Sequence, residues 1–236
     1  AHGVLESVFG KGPGIPTPDR AAELAQTVFE DRLEKDASPL ALPGKSARTN
    51  QLKTAILNSA RLLAQALRSA GCNSVEMEAE VKATVDGLKL KGYVDCIGRG
   101  PGGITFIIDI KRGGYAYRKE SLVAGKAFQL ATYAKLSGAK DPGVGFCILL
   151  PKNHLLIAEE SAPAGCDRIT GAEVVEGSIS ALKTWKIFHK FLKENDDWFT
   201  PSGKVPVRPL QPAESWSEGV RMVLDENKEE QFACGY

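Results

Sequence analysis

The sequence predicts an α/β fold with a mixed sheet, in which the core elements follow the order α-β-β-β-α-β and helices flank the sheet. Residues 75–111 contain three runs with strand-like alternation, separated by the turn signals Asp86-Gly87 and GRGPGG. The stretches before and after this block repeat apolar residues every three to four positions, as amphipathic helices do. With 236 residues, 43% of them hydrophobic and 25% charged, the chain is large enough for one α/β domain with extensions.

The region before the strands predicts a loop and two helices. Residues 1–18 hold four glycines and three prolines, which indicates a linker or a cloning remnant. We expect a helix to start at Pro18-Asp19, with Asp19 as its N-cap, and to continue through AAELAQTVFEDRLEK. Residues 48–70 predict a second amphipathic helix, and Gly71 stands where a glycine often follows a helix C-terminus.

The three strands alternate apolar and polar residues. In the first strand, 75–87, all the apolar residues are expected on one face: Val75, Met77, Ala79, Val81, Ala83 and Val85. The second strand is LKLKGYVDCIG and the third is ITFIIDIK. In the third we expect Ile104, Phe106, Ile108 and Ile110 in a core, with Thr105, Ile107, Asp109 and Lys111 on the opposite face.

The rest of the chain predicts further helices and strands. Residues 121–137 and 173–195 have helical periodicity, and VGFCILL and HLLIAEE have the composition of strands. We therefore expect one domain over residues 19–200 and a helical extension at each end. An extended, acidic segment over 201–236 is expected to follow.

Charged residues interrupt the second and third strands where apolar residues would otherwise continue. Asp95 lies in the second strand, and Asp109 and Lys111 lie at the end of the third. Charge at a position suited to burial is costly unless a partner or a ligand compensates it. Two carboxylates with a lysine suggest a divalent metal ion and an anionic substrate such as a phosphate. The alternative is that Lys111 is an ordinary ion-pair partner of Asp109.

The ordered set Asp95, Asp109-Ile110-Lys111 and Gln129 with Tyr133 resembles the motifs of the PD-(D/E)XK nuclease superfamily, and among its branches those of the RecB-like and AddB-like nucleases. The resemblance covers roughly residues 20–160 and implies a restriction-endonuclease-like fold. It also implies a metal-dependent DNA nuclease, with an exonuclease of DNA repair and recombination as the expected type. The proximity of Asp95 to Asp109 is also implied by the resemblance. The sequence pattern does not fix the register between the two strands, and a slip of one residue would move Asp95 to the other face of the sheet.

The resemblance implies a role for each candidate residue. Asp95, Asp109, the main-chain carbonyl of Ile110 and Glu30 would hold Mg²⁺ or Mn²⁺, and Lys111 would orient the attacking water or contact the phosphate. In the RecB-like pattern the first motif is a helical histidine followed by x-x-L-E, and Glu30-Asp31-Arg32-Leu33-Glu34 occupies that frame with glutamate in place of histidine. The other interpretation of Glu30 is one acid among several on a charged helix.

Contacts with the DNA backbone are expected from the helix that follows the third strand. Gln129 and Tyr133 are four residues apart and so share one helix face. Lys126, Arg112 and Arg118 are candidates for phosphate contacts, because basic residues are concentrated between positions 82 and 119 although the net charge is only +1. A surface glutamine, a tyrosine packed on the sheet and a solvated basic strand face are the structural alternatives.

Several other chemistries find no support in the sequence. His2, His154 and His189 are scattered, no zinc-ligand spacing is present, and GRGPGG lacks the G-K-[ST] of a phosphate-binding loop. A helicase or ATPase partner would therefore have to be supplied by another chain or domain. The remaining alternatives are a non-catalytic DNA-binding or scaffold module, an endonuclease of the same superfamily, and a metal-dependent sugar or phosphate hydrolase.

The five cysteines show no regular spacing and predict reduced thiols in a cytoplasmic protein. Relatives of the RecB-like branch often carry an iron–sulfur cluster with a C-terminal cysteine motif. The chain ends in FACGY, as if cut just before such a motif, so an iron–sulfur cluster is not supported in this chain. No apolar run approaches the 18 residues of a membrane span, so we expect no membrane partner.

Overall fold

The computed structural model describes residues 1–10, 14–35, 44, 46–85, 88–163, 165–194, 220–224 and 230–234. The helices are α1 (His2–Phe9), α2 (Pro18–Lys35), α3 (Ser46–Ser69), α4 (Tyr115–Val123), α5 (Phe128–Leu136) and α6 (Ala181–Glu194). The strands are β1 (Ser74–Val85), β2 (Leu88–Arg99), β3 (Thr105–Lys111), β4 (Gly143–Ile148), β5 (His154–Ala158), β6 (Ala172–Val175), β7 (Val220–Leu224) and β8 (Glu230–Cys234). None of the described helices combines the length and apolar character that crossing a bilayer requires.

All eight strands form one mixed sheet with the order β6-β5-β4-β3-β2-β8-β7, and β1 pairs with β2. The β1–β2 and β2–β3 pairs are antiparallel, whereas β3 and β4 are parallel and are joined through α4 and α5. The predicted order α-β-β-β-α-β is therefore confirmed, and the fold is that of a restriction-endonuclease-like mixed sheet flanked by helices. The predicted turn at Asp86-Gly87 lies outside the described residues.

Each face of the sheet carries its own hydrophobic cluster. Helices α1, α2 and α3 cover one face with residues such as Leu5, Phe29 and Leu63, and we call this the α1–α3 face. Helices α5 and α6 cover the other with residues such as Leu130 and Trp185, and we call this the α5–α6 face. Strand β3 is buried between the two clusters, so polar side chains on it lie in a low-dielectric environment.

The predicted faces of β3 are largely confirmed. Phe106, Ile108 and Ile110 pack into the cluster on the α1–α3 face, and Ile107 packs into the other cluster. Ile104 was expected in the core, but it precedes the strand and is 41% exposed. The turn between Gly100 and Thr105 places it there, because the strand does not begin until residue 105.

The prediction that all apolar residues of β1 share one face is wrong. Val75 and Met77 pack on the α1–α3 face, whereas Ala79, Val81, Ala83 and Val85 belong to the α5–α6 face. Between the two sets lies Glu78, which has a φ of 50°, a left-handed conformation that is uncommon for a residue other than glycine. One such residue interrupts the alternation, so the strand changes face at Glu78.

Two predictions near the N-terminus also need correction. Residues 2–9 were expected in a loop, but they form α1, because Val4, Leu5, Val8 and Phe9 have helical spacing and are buried. Helix α2 begins at Pro18 rather than after Asp19. Its N-cap is Thr17, whose hydroxyl accepts a hydrogen bond of 3.4 Å from the Arg20 amide.

Two segments after β3 also differ from the prediction. The helix predicted over 121–137 is two helices, because Gly125, with a φ of 63°, ends α4 and lets the chain turn into α5. The helix predicted over 173–195 begins only at Ala181. The residues Ala172–Val175 before it form β6, which pairs in parallel with β5, because two adjacent valines favour a strand at this sheet edge.

The segment predicted as extended over 201–236 contains β7 and β8 within its described residues. Strand β8 pairs in parallel with the start of β2, at Leu90 and Lys91. Pairing between β2 and β3, in contrast, begins only at Cys96. Strand β2 therefore separates from β3 just before Cys96, and this is where Asp95 lies.

Candidate active site

The two aspartates meet where β2 separates from β3. Cys96 pairs with Ile108, so continuing the antiparallel register brings Asp95 next to Asp109. The ladder stops at this position, and the Asp95 side chain takes over the next main-chain donor: Oδ2 accepts a hydrogen bond of 2.6 Å from the Ile110 amide. The structure thus brings together Asp95, Asp109 and Ile110, the arrangement that the family resemblance implied.

Asp109 is fully buried, which is unusual for a carboxylate. Lys111 Nζ lies 2.9 Å from Asp109 Oδ2 and forms an ion pair with it. Among the described residues, however, neither carboxylate oxygen of Asp109 accepts a hydrogen bond of good geometry. A buried carboxylate normally has its oxygens satisfied by donors or by a cation, so the environment of Asp109 is suited to a further positive charge.

Burial raises the pKa of both carboxyl groups above the ordinary value for aspartate. For Asp95 the Ile110 amide and the Lys111 ammonium oppose this effect, and for Asp109 the Lys111 ammonium is the main opposing group. The Asp95 carboxylate also raises the cost of ionising Asp109, because the two negative charges repel each other. A divalent cation between them would remove both costs.

His2, at the start of α1, is a site residue that sequence reasoning missed. Its Nε2 lies 3.2 Å from the main-chain oxygen of Ile110. Its Nδ1 lies 3.4 Å from Glu78 Oε1 and 3.7 Å from Asp95 Oδ1. The potential ligand atoms of His2, Glu78 and Asp95 all lie within 4.8 Å of one another. The imidazole therefore faces both carboxylates of this group and the carbonyl that was predicted to bind metal.

Glu78 is the second site residue that was missed. In the β1–β2 ladder it stands opposite Asp95, between the pairs Met77–Cys96 and Ala79–Val94. Its left-handed φ of 50° costs on the order of 1–3 kcal/mol for a residue that is not glycine. The strain falls at the one position of β1 that faces the aspartates, which is where strained residues of functional sites are found.

The structure does not bring Glu30 into this group. Glu30 lies on α2 with an exposed side chain, and its Oε1 accepts hydrogen bonds from Lys53, at 2.7 Å, and from Gln26, at 3.1 Å. These contacts lower the pKa of the Glu30 carboxyl, first through the Lys53 hydrogen bond. Glu30 has the surroundings of a paired surface acid, and its predicted role as a metal ligand has no geometric support.

Gln129 and Tyr133 form a unit on α5, as their spacing predicted. Gln129 Nε2 donates a hydrogen bond of 2.9 Å to the Tyr133 hydroxyl. The Tyr133 ring is buried and packs on Gly92 of β2, where an added Cβ would lie only 2.8 Å from Tyr133 Cε1. Gly92 therefore permits a close approach of α5 to the strand that carries Asp95, and Tyr133 has the packed position of the structural alternative.

The three basic candidates differ in their surroundings. Lys126, between α4 and α5, and Arg112, after β3, are exposed. Arg118 on α4 is partly buried, with its guanidinium carbon 5.4 Å from the ring centre of Phe146, and Phe146 is the β4 neighbour of Asp109. The Arg118 charge acts to lower the pKa of Asp109, and the buried Nε of Arg118 has no hydrogen-bond partner among the described residues. Of the three, Arg118 is the one associated with the aspartates.

A sequence signal for His2 was present. His2-Gly3-Val4-Leu5-Glu6 matches the helical histidine followed by x-x-L-E without substitution, whereas the frame at Glu30 requires a glutamate for the histidine. The count of glycines and prolines over residues 1–18 concealed it. Glu78 had no comparable signal, because its neighbours Glu76 and Glu80 occupy equivalent positions in the alternation of β1.

The donors at this site suit a hard divalent cation. Two carboxylates and a main-chain carbonyl are the oxygen ligands that Mg²⁺ and Mn²⁺ prefer, and the imidazole adds a nitrogen donor. The buried oxygens of Asp109 that lack hydrogen bonds are the observation on which this fit depends. A third carboxylate, that of Glu78, lies beside the same imidazole. The arrangement can hold a divalent cation close to the Lys111 ammonium group. Two positive charges on one side of a phosphodiester are what its binding and activation require.

One of the comparisons with known proteins agrees with the motifs. The family model described as the PD-(D/E)XK nuclease superfamily matches residues 1–234. No curated protein matches the chain. Among solved structures, the one titled "Crystal structure of SSO0001" is similar at 17% identity, covers 74% of this chain and 71% of its own, and has a TM-score of 0.29.

Proposed function

The chain belongs to the PD-(D/E)XK nuclease superfamily, whose members are nucleases that use divalent metals, and we propose that it is a metal-dependent deoxyribonuclease. One observation carries the proposal: the fully buried Asp109 lies beside Asp95, with Lys111 Nζ 2.9 Å from one of its oxygens and with no hydrogen bond of good geometry to either. A scaffold protein gains nothing from two adjacent buried carboxylates, which cost stability unless a cation compensates them.

In the proposed reaction Asp95, Asp109, the Ile110 carbonyl and the His2 imidazole would hold the cation. The bound cation would lower the pKa of the attacking water and neutralise charge that develops on the phosphate. Lys111 would orient the water or donate to a non-bridging phosphate oxygen, for which its three N–H donors and its charge are suited. Asp109 keeps the Lys111 ammonium close to the reaction centre through their ion pair.

Glu78 would complete the ligand set from the opposite strand. Its carboxylate reaches the same imidazole as Asp95 does, and the left-handed conformation supports this placement at a cost in backbone energy. We propose that Glu78 takes the acidic role that the sequence suggested for Glu30.

Substrate contacts are proposed on the α5–α6 face. Arg118 has its guanidinium near the buried Asp109. One guanidinium group can donate two parallel hydrogen bonds to two oxygens of a phosphate. Gln129, which is held by the Tyr133 hydroxyl, would contact the DNA backbone, while Lys126 and Arg112 supply exposed positive charge. In this arrangement the scissile phosphate would lie beside the aspartates, at the point where β2 leaves β3.

The finer assignment to an exonuclease of DNA repair and recombination rests on the RecB-like order of motifs, now including the His2 frame. A helicase or ATPase partner and a cytoplasmic location belong to the same proposal. An endonuclease of the same superfamily would use the same residues, so a substrate without ends is needed to separate the two.

The test is cleavage of end-labelled linear DNA and closed circular DNA, single- and double-stranded, with Mg²⁺, Mn²⁺ or EDTA. We expect metal-dependent degradation of linear DNA, its loss in Asp109→Asn and Lys111→Ala, and resistance of the circles. Asp167→Asn, which alters an exposed aspartate in the loop after β5, is the matched control and should cleave as the wild type does.

Each outcome separates one alternative. Cleavage of the closed circular DNA would show that the protein is an endonuclease and not an exonuclease. DNA binding without cleavage under any metal would favour the non-catalytic module. Near-normal cleavage by a folded Asp109→Asn protein would contradict the site itself.

A further inference from the structure

The outer surface of the β1–β2 ribbon beyond Glu78 carries charged and aromatic side chains on the α1–α3 face. Two pairs of the ladder form it, Glu80 opposite Tyr93 and Lys82 opposite Lys91, with the pair Val81–Gly92 between them. We call these four residues the ribbon stripe. Their neighbours on the ribbon, Ala79, Val81, Leu90 and Val94, are buried in the cluster on the other face, so alternation directs the stripe away from that cluster.

Tyr93 and Lys82 of the stripe are open to solvent, Lys91 is only partly exposed, and the stripe begins next to the candidate active site. Tyr93 is 50% exposed, and the side chain of Lys82 is 76% exposed. The ribbon residues that pack under α1, α2 and α3 are Val75, Met77 and Cys96, which all lie on the far side of Glu78 and Asp95. His2, at the start of α1, contacts Glu78 and Asp95 themselves. The cover of this face therefore ends at the site, and the stripe starts there.

The side chains of the stripe are arranged in a network that keeps the tyrosine ring in place. Lys91 Nζ lies 5.4 Å from the Tyr93 ring centre. The Tyr93 hydroxyl donates to Glu80 Oε2 at 3.1 Å, and Lys91 and Lys82 pair with Glu80 at 3.1 and 3.3 Å. Glu80 neutralises one charge of the two lysines, so the stripe keeps a net positive charge beside an exposed ring. The register places Lys89 one step further along, opposite Thr84.

An exposed aromatic ring beside ammonium groups is how proteins bind single-stranded nucleic acids. Every base has a π-face that stacks on a tyrosine, and lysines pair with the phosphates. In a duplex the bases already stack on each other, so no base is free to stack on the Tyr93 ring. Alternate residues of a strand are about 7 Å apart, so Tyr93 lies one such step from Asp95 and Lys91 lies two.

Resting on the proposed nuclease function, we infer that the ribbon stripe binds the single strand that flanks the scissile phosphate, with one base stacked on Tyr93 and the backbone along Lys91 and Lys82. The nuclease therefore takes single-stranded DNA, or the unpaired end of a duplex, into its site. The Tyr93 ring and the two lysines lie on the side of the sheet opposite Gln129 and Tyr133, so this contact is separate from the one proposed for the α5–α6 face.

The experiment measures DNA binding in the Asp109→Asn background with EDTA, where the strand stays intact. The ligands are labelled oligothymidine of about 12 nucleotides, within the site sizes of single-strand-binding domains, and an abasic strand of the same length. We expect tighter binding of oligothymidine. Tyr93→Ala should lower its affinity about tenfold, the order expected for one stacked base, and leave the abasic strand unaffected. Tyr93→Phe should bind as its parent does.

The lysines and controls complete the test. Lys82→Ala and Lys91→Ala should each weaken binding of both strands. Each should also make the slope of log K against log salt concentration less steep by about 0.7, the value for one lost phosphate contact with a single strand. Tyr117→Ala removes another exposed ring, on α4, and Lys183→Ala removes an ion-paired lysine on α6; neither should change the preference for oligothymidine.

Equal weakening of both ligands by Tyr93→Ala, or no weakening, would overturn the inference and assign the stripe to ribbon stability alone. Blunt duplex DNA that competes as well as the single strand would also overturn it, as would a single-stranded RNA of equal sequence that binds more tightly. The nuclease proposal is tested separately by cleavage with the wild-type protein, so a failure of one leaves the other distinguishable.

Discussion

Helices α1 and α2 carry nearly the same sequence frame and have different positions relative to the site. Helix α1 begins His-Gly-Val-Leu-Glu, and α2 contains Glu-Asp-Arg-Leu-Glu from Glu30. Both helices pack in the cluster on the α1–α3 face. Helix α1 also packs against β1, and its first residue reaches Asp95, Glu78 and the Ile110 carbonyl.

The difference shows that a motif acquires its chemistry from the element on which it is placed. Glu30 is oriented towards Lys53 of α3, where water and an ammonium group satisfy it. His2 lies where the helix layer ends above the separating strands β2 and β3. The helical sequence motif therefore indicates a metal ligand only when the terminus of its helix lies beside the carboxylates.

The sharpest test of this comparison is His2→Ala. We expect metal-dependent cleavage to fall about 100-fold, at the upper end of what loss of a metal-site partner costs, because the imidazole is the group that faces both Asp95 and the Ile110 carbonyl. Cleavage rates at saturating Mn²⁺ and the Mn²⁺ concentration for half-maximal activity measure it. An unchanged metal requirement would remove His2 from the ligand set.

A second test uses the strained conformation of Glu78. We expect Glu78→Gly to reduce metal affinity and cleavage about tenfold and yet raise the free energy of unfolding by about 1 kcal/mol, because glycine adopts a positive φ without strain. Denaturant titration and metal titration of the same protein measure the two effects.

The control for Glu78 is Glu76→Gly, two residues earlier in β1 and paired in the regular ladder with Ile97. Glycine should destabilise that position by roughly 0.5–1 kcal/mol and leave cleavage unchanged. An equal loss of stability in Glu78→Gly and Glu76→Gly would show that the left-handed backbone conformation of Glu78 does not destabilise the folded protein.

The pH dependence should differ in sign between the aspartates and Glu30. Burial raises the pKa of Asp95 and Asp109, so the folded protein binds more protons than the unfolded chain between the ordinary value near 4 and the raised value. The metal-free protein therefore loses stability as pH rises through that window. The pKa of Glu30 is lowered, so any contribution from it is lost instead as pH falls.

Thermal unfolding at pH 5 and pH 8, with EDTA or Mn²⁺, measures this dependence. We expect Mn²⁺ to raise the unfolding temperature more at pH 8, and Asp109→Asn to be the more stable protein at pH 8 in EDTA. A Mn²⁺ effect that is equal at both pH values would show that the carboxylates are not the groups to which the cation binds.

The smallest effect is expected for Glu30→Gln. The side chain is exposed and its pair with Lys53 contributes little, as surface ion pairs do. Cleavage should stay within about twofold of the wild type, on the scale at which surface substitutions away from a site act. A loss comparable to that of His2→Ala would restore Glu30 to the site and contradict the comparison between α1 and α2.

Much of the central site was predictable because it depends on local order. Asp109 and Lys111 alternate with buried isoleucines along one strand, so their common face follows from the geometry of a strand. The spacing of Gln129 and Tyr133 likewise predicted their contact. The sequence alone left the register between β2 and β3 open, and the family resemblance supplied it.

Other features were beyond local pattern. The break at Gly125 and the strand Ala172–Val175 were concealed within helical periodicity, because short apolar runs satisfy both periods. The change of face at Glu78 depends on one backbone angle that three equivalent glutamates in β1 do not distinguish. Helix α1 was hidden by nearby glycines and prolines.

The sequence by itself determined the core order α-β-β-β-α-β, the superfamily and the acidic and basic residues at the end of β3, because these depend on spacing within elements and on their succession along the chain. Only the tertiary structure decided which acids meet, that His2 joins them and that Tyr93 is left uncovered. These depend on where a helix ends above the sheet and on where two strands separate. Both are set by packing between residues distant in the chain, such as His2 and Ile110, and no local pattern contains that information.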